Sequence, residues 1–314
     1  MKKLILLTFL LTATMTNAQE SASLKIKEAP IERVDRMPVV FENQDSGLKL
    51  AGIVFTPRGM DKSKKHPAVI VAGPMYSVKE QTQSLYAMLL AEKGYVTLVY
   101  DNSFIGSSEG HPRGLEDPTV KGSDVRSALT FMQTLPYIDT QRIAAMGICG
   151  SGTYVPSGLV NDPRVKAVIS IVPFTIMNMI TTAEDGVLLA EKEKYETTGE
   201  AARLDLIKGS LGEAYYRNPD RGASANYATA VSWAQIEWHK FTPTEIVKGL
   251  HKPYLVITSE NSFTRQGSEE MYNNAPGPKE FHLVKEATHF DMYDIEIYVD
   301  ENMNTVLEFL SKYL

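Results

Sequence analysis

The sequence predicts an α/β protein with a mostly parallel, doubly wound sheet and a helical cap insertion. Short apolar, β-rich segments alternate with segments of helical periodicity, a pattern typical of parallel sheets with crossover helices. Residues 68–72 form a continuous apolar run, as in a strand covered on both faces. Residues 175–249 interrupt the alternation with helical stretches and no convincing strand. The chain of 314 residues, 43% hydrophobic and 22% charged, is long enough for one large globular domain.

The same patterns predict the individual strands and helices along the chain. Two strands are turned at a polar 44–47 segment that ends in Gly47, and the first helix stops at Gly94. The second helix carries Val125, Leu129 and Met132 on one face. Strands are predicted over 37–42, 48–55, 68–72, 95–100, 142–148, 165–172, 253–258 and 280–284, and helices over 83–94, 122–135 and 303–314.

This order predicts a core in two parts, residues 19–174 and 250–314, with the 175–249 cap inserted between two core strands. We expect the cap to cover the carboxyl edge of the sheet, because open α/β sheets bind ligands at that edge.

The first 18 residues have the pattern of a signal peptide. Lys2 and Lys3 precede an apolar run over 4–11, and the segment ends in small and polar residues at Ala18. A membrane-spanning helix needs about 20 apolar residues, far more than this run offers. No cysteine follows the run for a lipid anchor. We therefore expect cleavage after Ala18 and a periplasmic or secreted protein that is not a lipoprotein.

The net charge of −6 comes without a basic cluster, so the sequence gives no indication of nucleic-acid binding or of an anionic membrane surface.

The single cysteine, Cys149, stands where a nucleophile is expected. Gly147-Ile148-Cys149-Gly150-Ser151-Gly152 follows a predicted strand and opens a predicted helix, the context of a strained nucleophile elbow whose neighbours must be small. A thiol at a helix N-terminus is expected to have a lowered pKa. An incidental buried cysteine in a glycine-rich turn and Ser151 as the nucleophile are the alternatives.

A base is expected on the loop after the last strand, following the order nucleophile, acid, histidine. His289 is the one histidine of six in that position. The acid belongs after the 253–258 strand, where Glu260 is the first carboxylate, while Asp291 and Asp294 are alternatives close to His289.

Two backbone N–H groups must hold the oxyanion of the reaction. Gly150, which follows the nucleophile, supplies one. The loop after the 68–72 strand supplies the other, and because Pro74 has no N–H, Met75 is the better donor. We predict no metal or organic cofactor, since no cluster of His, Asp and Glu has ligand spacing.

With these motifs in place, the chain resembles the α/β-hydrolase superfamily, and more narrowly the dienelactone-hydrolase-like bacterial hydrolases and the related polyketide transferase-type family. The resemblance covers nearly all of the chain after the signal peptide, but such motifs are poor guides to substrate. In relatives an aspartate often stands about where Ser262 stands here, and Tyr76 replaces a glycine of the oxyanion loop, which narrows the pocket. The matching residues are Gly73-Pro74-Met75, Val78 to Gln81, Asp101, Gly106, Gly110, Asp139 to Ile143, Gly147 to Cys149, Tyr215-Tyr216, Pro219 to Gly222 and Ala287 to Asp294.

The resemblance and the motifs together predict a hydrolase that acts on an ester, lactone, thioester or activated amide of a small molecule, through an acyl-enzyme on Cys149. An acyltransferase that uses the same acyl-enzyme, a non-catalytic binding member of the fold, and redox sensing by Cys149 are the alternatives. The substrate and the oligomeric state are beyond the sequence.

Overall fold

The computed structural model describes residues 25–227 and 229–314, so the predicted signal peptide lies outside the described residues. Strands and helices alternate through the chain as the sequence predicts. The strands are β1 Val34–Glu42, β2 Lys49–Pro57, β3 His66–Ala72, β4 Val96–Tyr100, β5 Ile138–Ile148, β6 Ala167–Ile171, β7 Arg203–Leu204, β8 Ala230–Val231, β9 Tyr254–Asn261 and β10 Lys279–Thr288. The helices are α1 Thr82–Glu92, α2 Pro118–Thr134, α3 Ser151–Leu159, α4 Asp185–Thr198, α5 Glu213–Tyr216, α6 Gln235–Trp238, α7 Pro243–Ile246, α8 Arg265–Asn274, α9 Asp291–Asp294 and α10 Glu296–Tyr313.

The central sheet has eight strands in the order β1-β2-β4-β3-β5-β6-β9-β10. The β1–β2 and β2–β4 pairs are antiparallel, and the remaining pairs are parallel. The predicted mostly parallel sheet is therefore confirmed, and the order of its parallel strands reverses beside β3 and β5, so that the loops at their carboxyl ends meet.

The strands of the sheet centre are covered on both faces. Val69 and Val71 of β3 pack into one apolar cluster with α1 and α10, whereas Ala68 and Ile70 pack into a second cluster with α2 and α3. Alternate residues of one strand thus enter opposite cores, which is why the β3 sequence is apolar throughout rather than alternating.

Two helices begin earlier than predicted. Asp117 caps α2 by accepting hydrogen bonds from the N–H groups of Thr119 and Val120, and Pro118 takes the first helical position, so that this helix starts four residues before the predicted Gly122. Helix α10 starts at Glu296 rather than at residue 303. Helix α8, between β9 and β10, has no counterpart in the sequence prediction.

The segment between β6 and β9 contributes no strand to the main sheet, in keeping with the predicted cap. It contains α4 to α7 and one feature that the sequence did not indicate, a two-stranded antiparallel pair of β7 and β8. No helix in the described part of the chain is long and apolar enough to cross a membrane.

Candidate active site

Cys149 occupies the sharp turn between β5 and α3. Its φ of +55° lies in the left-handed region that a residue with a side chain rarely adopts. The neighbouring glycines are required by space, because a Cβ at Gly147 would lie 1.9 Å from the Ser151 carbonyl oxygen and a Cβ at Gly152 would lie 2.8 Å from the Cα of Pro173. The strained turn carries Cys149 at its tip, as the sequence predicts for a nucleophile elbow.

Helix α3, which follows the elbow, contains a proline in its interior. Pro156 has no N–H, so the Gly152 carbonyl loses its helical donor. The Ser170 hydroxyl of β6 donates to that carbonyl instead, at 2.6 Å. This bond holds the first turn of α3 against β6 and so helps to fix the elbow that precedes the helix.

The two predicted oxyanion donors lie on the same side of the cysteine. The backbone N–H groups of Gly150 and Met75 both face the Cys149 sulfur. A Cβ built on Gly150 would lie 3.0 Å from the Met75 nitrogen, so the loop after β3 approaches the elbow closely. The Gln83 amide steadies that loop through bonds to the Ser77 hydroxyl and the Val78 carbonyl.

Burial controls the protonation state of Cys149. The residue is only 7% exposed. Burial raises the pKa of its thiol to about 11, although the Tyr293 hydroxyl and the Gly150 and Met75 N–H groups oppose the shift. The expectation of a lowered pKa is therefore wrong here, because loss of hydration outweighs the dipole of the short helix α3 and the neighbouring donors. At neutral pH the group is a thiol that needs a base.

Burial also keeps the His289 imidazole neutral. It is 1% exposed, and burial lowers its pKa to about 3. Nδ1 lies 3.1 Å from the Ser262 hydroxyl and 3.3 Å from the Thr264 hydroxyl. Phe263 stacks on the ring with centroids 4.5 Å apart. The imidazole thus has hydroxyl neighbours where a catalytic triad would have a carboxylate.

The three carboxylates considered from the sequence all bond elsewhere. Glu260 receives hydrogen bonds from the Lys285 amine and the Glu286 N–H. Asp291 accepts from the N–H and the hydroxyl of Thr288.

Asp294 is bound to the cap. It forms an ion pair with Arg221, which also donates to the Phe290 carbonyl. The prediction of Glu260 as the group that orients His289 is not met in this structure, because the hydroxyls of Ser262 and Thr264 are the groups within hydrogen-bonding distance of Nδ1.

The prediction failed because β9 is longer than expected. The strand was predicted to end at Thr258, which would put Glu260 on a free loop. It continues to Asn261, which pairs with Thr288 of β10. The Glu260 side chain therefore reaches across to β10 rather than toward the imidazole.

Tyr293 is the site residue that sequence reasoning missed. Its hydroxyl lies 3.2 Å from His289 Nε2 and within hydrogen-bonding reach of the Cys149 sulfur. Within the described part of the chain the imidazole makes no direct hydrogen bond to that sulfur. The available signal was the spacing, since a residue four positions after His289 returns to the same side of a helical turn.

Aromatic rings enclose the space beside Cys149 and His289. Tyr216 lies 4.6 Å from Tyr227 and 6.1 Å from Phe290, measured between ring centroids. Tyr76, whose buried hydroxyl makes no hydrogen bond among the described residues, lies 6.4 Å from Tyr227. Tyr216 and Tyr227 belong to the segment between β6 and β9, so that segment supplies part of the wall.

A buried carboxylate, that of Glu116, lies close enough to Cys149 to contribute to the raised pKa of its thiol. Glu116 is 1% exposed, and burial raises its pKa despite the nearby Lys121 amine and the Tyr154 hydroxyl. The Tyr154 hydroxyl donates to it at 2.8 Å, and the Trp238 indole N–H of the cap donates to its backbone carbonyl at 2.7 Å. Glu116 therefore ties the cap to the core next to the elbow.

The alternative nucleophile, Ser151, is the first residue of α3 rather than the tip of the turn. Its hydroxyl is buried and makes no hydrogen bond within residues 25–227 and 229–314. A surface cleft of about 440 Å³ is lined by the α3–β6 connection, at the other edge of the sheet from Cys149. Cys149 is 7% exposed and His289 is 1% exposed, so both side chains are largely shielded from solvent.

Comparison with known proteins gives this geometry a family context. The model of the FrsA-like esterase family matches residues 17–192. The uncharacterized protein YcjY of Escherichia coli is 29% identical over 88% of this chain and 98% of its own. The uncharacterized protein PA2218 of Pseudomonas aeruginosa is 30% identical over 83% of this chain and 77% of its own. Its crystal structure aligns with a TM-score of 0.83 over 93% of this chain and 99% of its own.

Relatives with named activities match over similar spans. A thiohydrolase of Eupenicillium brefeldianum is 27% identical over 83% of this chain and 89% of its own. The polyketide transferase af380 of Aspergillus fumigatus is 26% identical over 90% and 99%. The α/β hydrolase GrgF of a Penicillium species aligns with a TM-score of 0.74 at 21% identity over 89% and 99%, and this establishes the α/β-hydrolase fold.

Proposed function

Because the chain belongs to the FrsA-like esterase family, we propose that it is a hydrolase that forms an acyl-enzyme on Cys149, with His289 as the base. The observation that carries this proposal is the strained backbone at Cys149, with the Gly150 and Met75 N–H groups facing its sulfur. A residue with a side chain that is held at positive φ beside two convergent backbone donors costs stability, and such strain is typical of reacting groups.

The reaction begins with proton removal, since the thiol is protonated at neutral pH. As His289 takes up the proton, the sulfur attacks the carbonyl carbon of an ester, lactone, thioester or activated amide. The developing oxyanion is stabilised by the Gly150 and Met75 N–H groups, which are fixed before the reaction and need no reorganisation. The imidazolium then returns the proton to the leaving group, and the acyl group remains on sulfur.

The aromatic wall supports an apolar or aromatic acyl group. Tyr216, Tyr227 and Phe290 present ring faces and edges beside the reacting atoms. Such rings bind flat or apolar groups through their large contact area and quadrupole. A small polar acyl group would leave most of that surface unused.

Acyl transfer is the second candidate, with an alcohol, amine or thiol instead of water as the acceptor. Cys149 and His289 are buried, which limits access of water to the acyl-enzyme. The polyketide transferase relative gives this alternative a precedent in the same family of folds. If residues 1–18 are a signal peptide, as we propose from their sequence, either reaction takes place outside the cytoplasm.

The first experiment measures turnover of a series of p-nitrophenyl acyl esters by the wild type and by Cys149→Ala, Cys149→Ser, His289→Ala and Ser151→Ala. We expect Cys149→Ala and His289→Ala to lose at least 1,000-fold in kcat/KM, because nucleophile and base act as a unit. Ser151→Ala is the matched control on the same turn and should retain activity. Mass spectrometry of the quenched wild type should find the acyl group on the Cys149 peptide.

The outcomes separate the candidates. Activity that survives in Cys149→Ala but not in Ser151→Ala would overturn the assignment of the nucleophile. An acyl-enzyme that forms in a burst but hydrolyses slowly, and is released by an added alcohol or amine, would favour transfer over hydrolysis.

A further inference from the structure

The geometry points to a catalytic role for Tyr293: we propose that its hydroxyl carries the proton between the Cys149 thiol and His289 Nε2, in place of direct transfer. The inference rests on the proposed function and adds a group to its mechanism. Tyr293 would touch both reacting partners, since its hydroxyl lies 3.2 Å from Nε2 and within hydrogen-bonding reach of the sulfur.

The Tyr293 ring is firmly held, which a relay requires. The residue is fully buried. Tyr215 packs edge-on against its ring with centroids 4.9 Å apart. Its backbone carbonyl accepts a hydrogen bond from the Thr82 hydroxyl at 2.8 Å, and the Tyr86 hydroxyl donates to the carbonyl of the preceding residue, Met292, at 2.6 Å. Contacts from α1 and from Tyr215 thus hold the Tyr293 backbone and ring in place.

The hydrogen bonds around the imidazole allow a proton to move from the Cys149 sulfur toward His289 Nε2. Nδ1 can donate its proton to the Ser262 hydroxyl oxygen at 3.1 Å. That tautomer leaves a lone pair on Nε2, which accepts the Tyr293 O–H at 3.2 Å. The Tyr293 oxygen keeps a lone pair for the Cys149 S–H. Each proton of the chain S–H, O–H, Nδ1–H then points at an acceptor.

The proposed step balances in atoms and charge. The S–H proton moves to the Tyr293 oxygen while the Tyr293 proton moves to Nε2, so the phenol stays neutral. The S–H electron pair forms the bond to the carbonyl carbon, and the carbonyl π pair becomes the oxyanion facing Gly150 and Met75. When the leaving-group bond breaks, the imidazolium proton returns through Tyr293 to the leaving atom.

In a nucleophile–histidine pair the imidazole is expected to contact the nucleophile directly. Here the Tyr293 hydroxyl contacts Nε2 instead, and the relay explains its position. A phenol is hard to ionise in this site, because burial raises the pKa of Tyr293 well above its usual range. Concerted movement of two protons avoids that phenolate, whereas stepwise transfer through it would not. The role therefore predicts a two-proton signature.

The test compares Tyr293→Phe with Tyr215→Phe, which removes a hydroxyl from the ring packed against Tyr293 but not from the site. Acylation by a p-nitrophenyl ester is followed before the steady state, in mixtures of H₂O and D₂O. We expect acylation to slow about 100-fold in Tyr293→Phe, the scale of general acid–base catalysis, with KM within twofold of the wild type. The wild-type proton inventory should be bowed, as two moving protons require, and Tyr215→Phe should behave like the wild type.

A second readout is independent of ester turnover. Iodoacetamide alkylates Cys149 without forming an oxyanion, so its rate at pH 7 reports only how readily the thiol loses its proton. Because the relay would carry that proton from the sulfur to His289 during alkylation as well, alkylation should slow about tenfold in Tyr293→Phe and not in Tyr215→Phe. Circular dichroism checks that both variants are folded.

Acylation and alkylation at wild-type rates in Tyr293→Phe, equal losses in both variants, or a linear proton inventory in the wild type would each overturn the relay. Failure of the proposed function looks different. In that case the wild type turns over no ester, while the alkylation comparison still decides whether Tyr293 assists proton loss from Cys149.

Discussion

At the elbow, the groups that face the Cys149 sulfur are backbone N–H groups, and glycines keep the space around them open. At the other end of the site, the groups that face the His289 imidazole are side-chain hydroxyls of Ser262, Thr264 and Tyr293. The main chain forms one end of the site, whereas side chains from the β9–α8 loop and from α9 form the other.

The difference determines how each end responds to change. Only a substitution by proline removes a backbone donor, but any other added side chain can fill the space in front of it, because the surrounding main chain is closely packed. A hydroxyl can be exchanged for another group without disturbing the fold. Substitutions at the elbow should therefore greatly reduce the rate of ester hydrolysis, whereas substitutions around the imidazole should mainly change its pH dependence.

Both ends nevertheless share one physical property, because each reacting group is neutral. Burial raises the pKa of the Cys149 thiol to about 11 and lowers the pKa of the His289 imidazole to about 3. A thiolate–imidazolium pair is thus not the resting state, and proton transfer must accompany attack on the substrate.

After replacement of the nucleophile or the base themselves, the largest effect is expected from Gly150→Ala. Gly150 has φ −52°, so alanine fits the backbone, but its Cβ would lie 2.5 Å from the Met75 Cγ and 3.0 Å from the Met75 nitrogen. The methyl group would occupy the space of the oxyanion, and kcat for ester hydrolysis should fall about 100- to 1,000-fold, the cost of losing one oxyanion donor.

The matched control for that substitution is Gly186→Ala. Gly186 lies in α4 with no atom within 4 Å of an added Cβ. Activity should stay at the wild-type level, and thermal stability should rise slightly because alanine is the better helix former. Wild-type kcat in Gly150→Ala would mean that the oxyanion is not held where the elbow and the Met75 loop meet.

A smaller effect is expected on stability in acid, from the imidazole end. His289 has a pKa of about 3 in the folded protein against about 6.5 in the unfolded chain. The unfolded state therefore takes up the proton first, and stability is lost progressively as the pH falls from about 6.5 toward 3.

Between pH 7 and pH 5 this single group should lower the free energy of unfolding by about 2 kcal/mol. Urea unfolding of the wild type and of His289→Asn at both pH values isolates the contribution, because all other titrating groups are common to the two proteins. Identical losses in the two proteins would show that the imidazole is not held neutral.

The two ends of the site also differ in how well the sequence predicts them. The elbow was predictable because its determinants are local, with Gly147, Cys149 and Gly152 contiguous on one strand–helix turn. The partners of His289 were not, because they depend on where β9 ends. The strand extends three residues beyond its predicted end, which carries Glu260 across to β10 and leaves Ser262 beside the imidazole. Likewise, Tyr293 is recognisable only once the turn after His289 is known to be helical.

The smallest change in rate, and the most informative one, is expected from Ser262→Asp. This substitution places a carboxylate 3 Å or so from Nδ1, the distance of the present hydroxyl. In the wild type, kcat/KM should be flat from pH 5 to pH 9, because the pKa values of the base and of the thiol lie outside that range. The new charge stabilises the imidazolium and should raise the pKa of His289 by about 1–3 units.

Because a protonated imidazole cannot accept the thiol proton, kcat/KM of Ser262→Asp should fall on the acid side, with a midpoint between about pH 4 and pH 6. Ser262→Asn is the matched control, since it has the same shape without the charge and should keep the flat profile. Profiles of p-nitrophenyl acetate hydrolysis from pH 4 to pH 9, recorded where circular dichroism shows folded protein, make the comparison. An acid limb already present in the wild type would mean that His289 is more hydrated in solution than its 1% exposure indicates. A flat profile in Ser262→Asp would instead mean that residue 262 does not face the imidazole during the reaction, and that another group orients it.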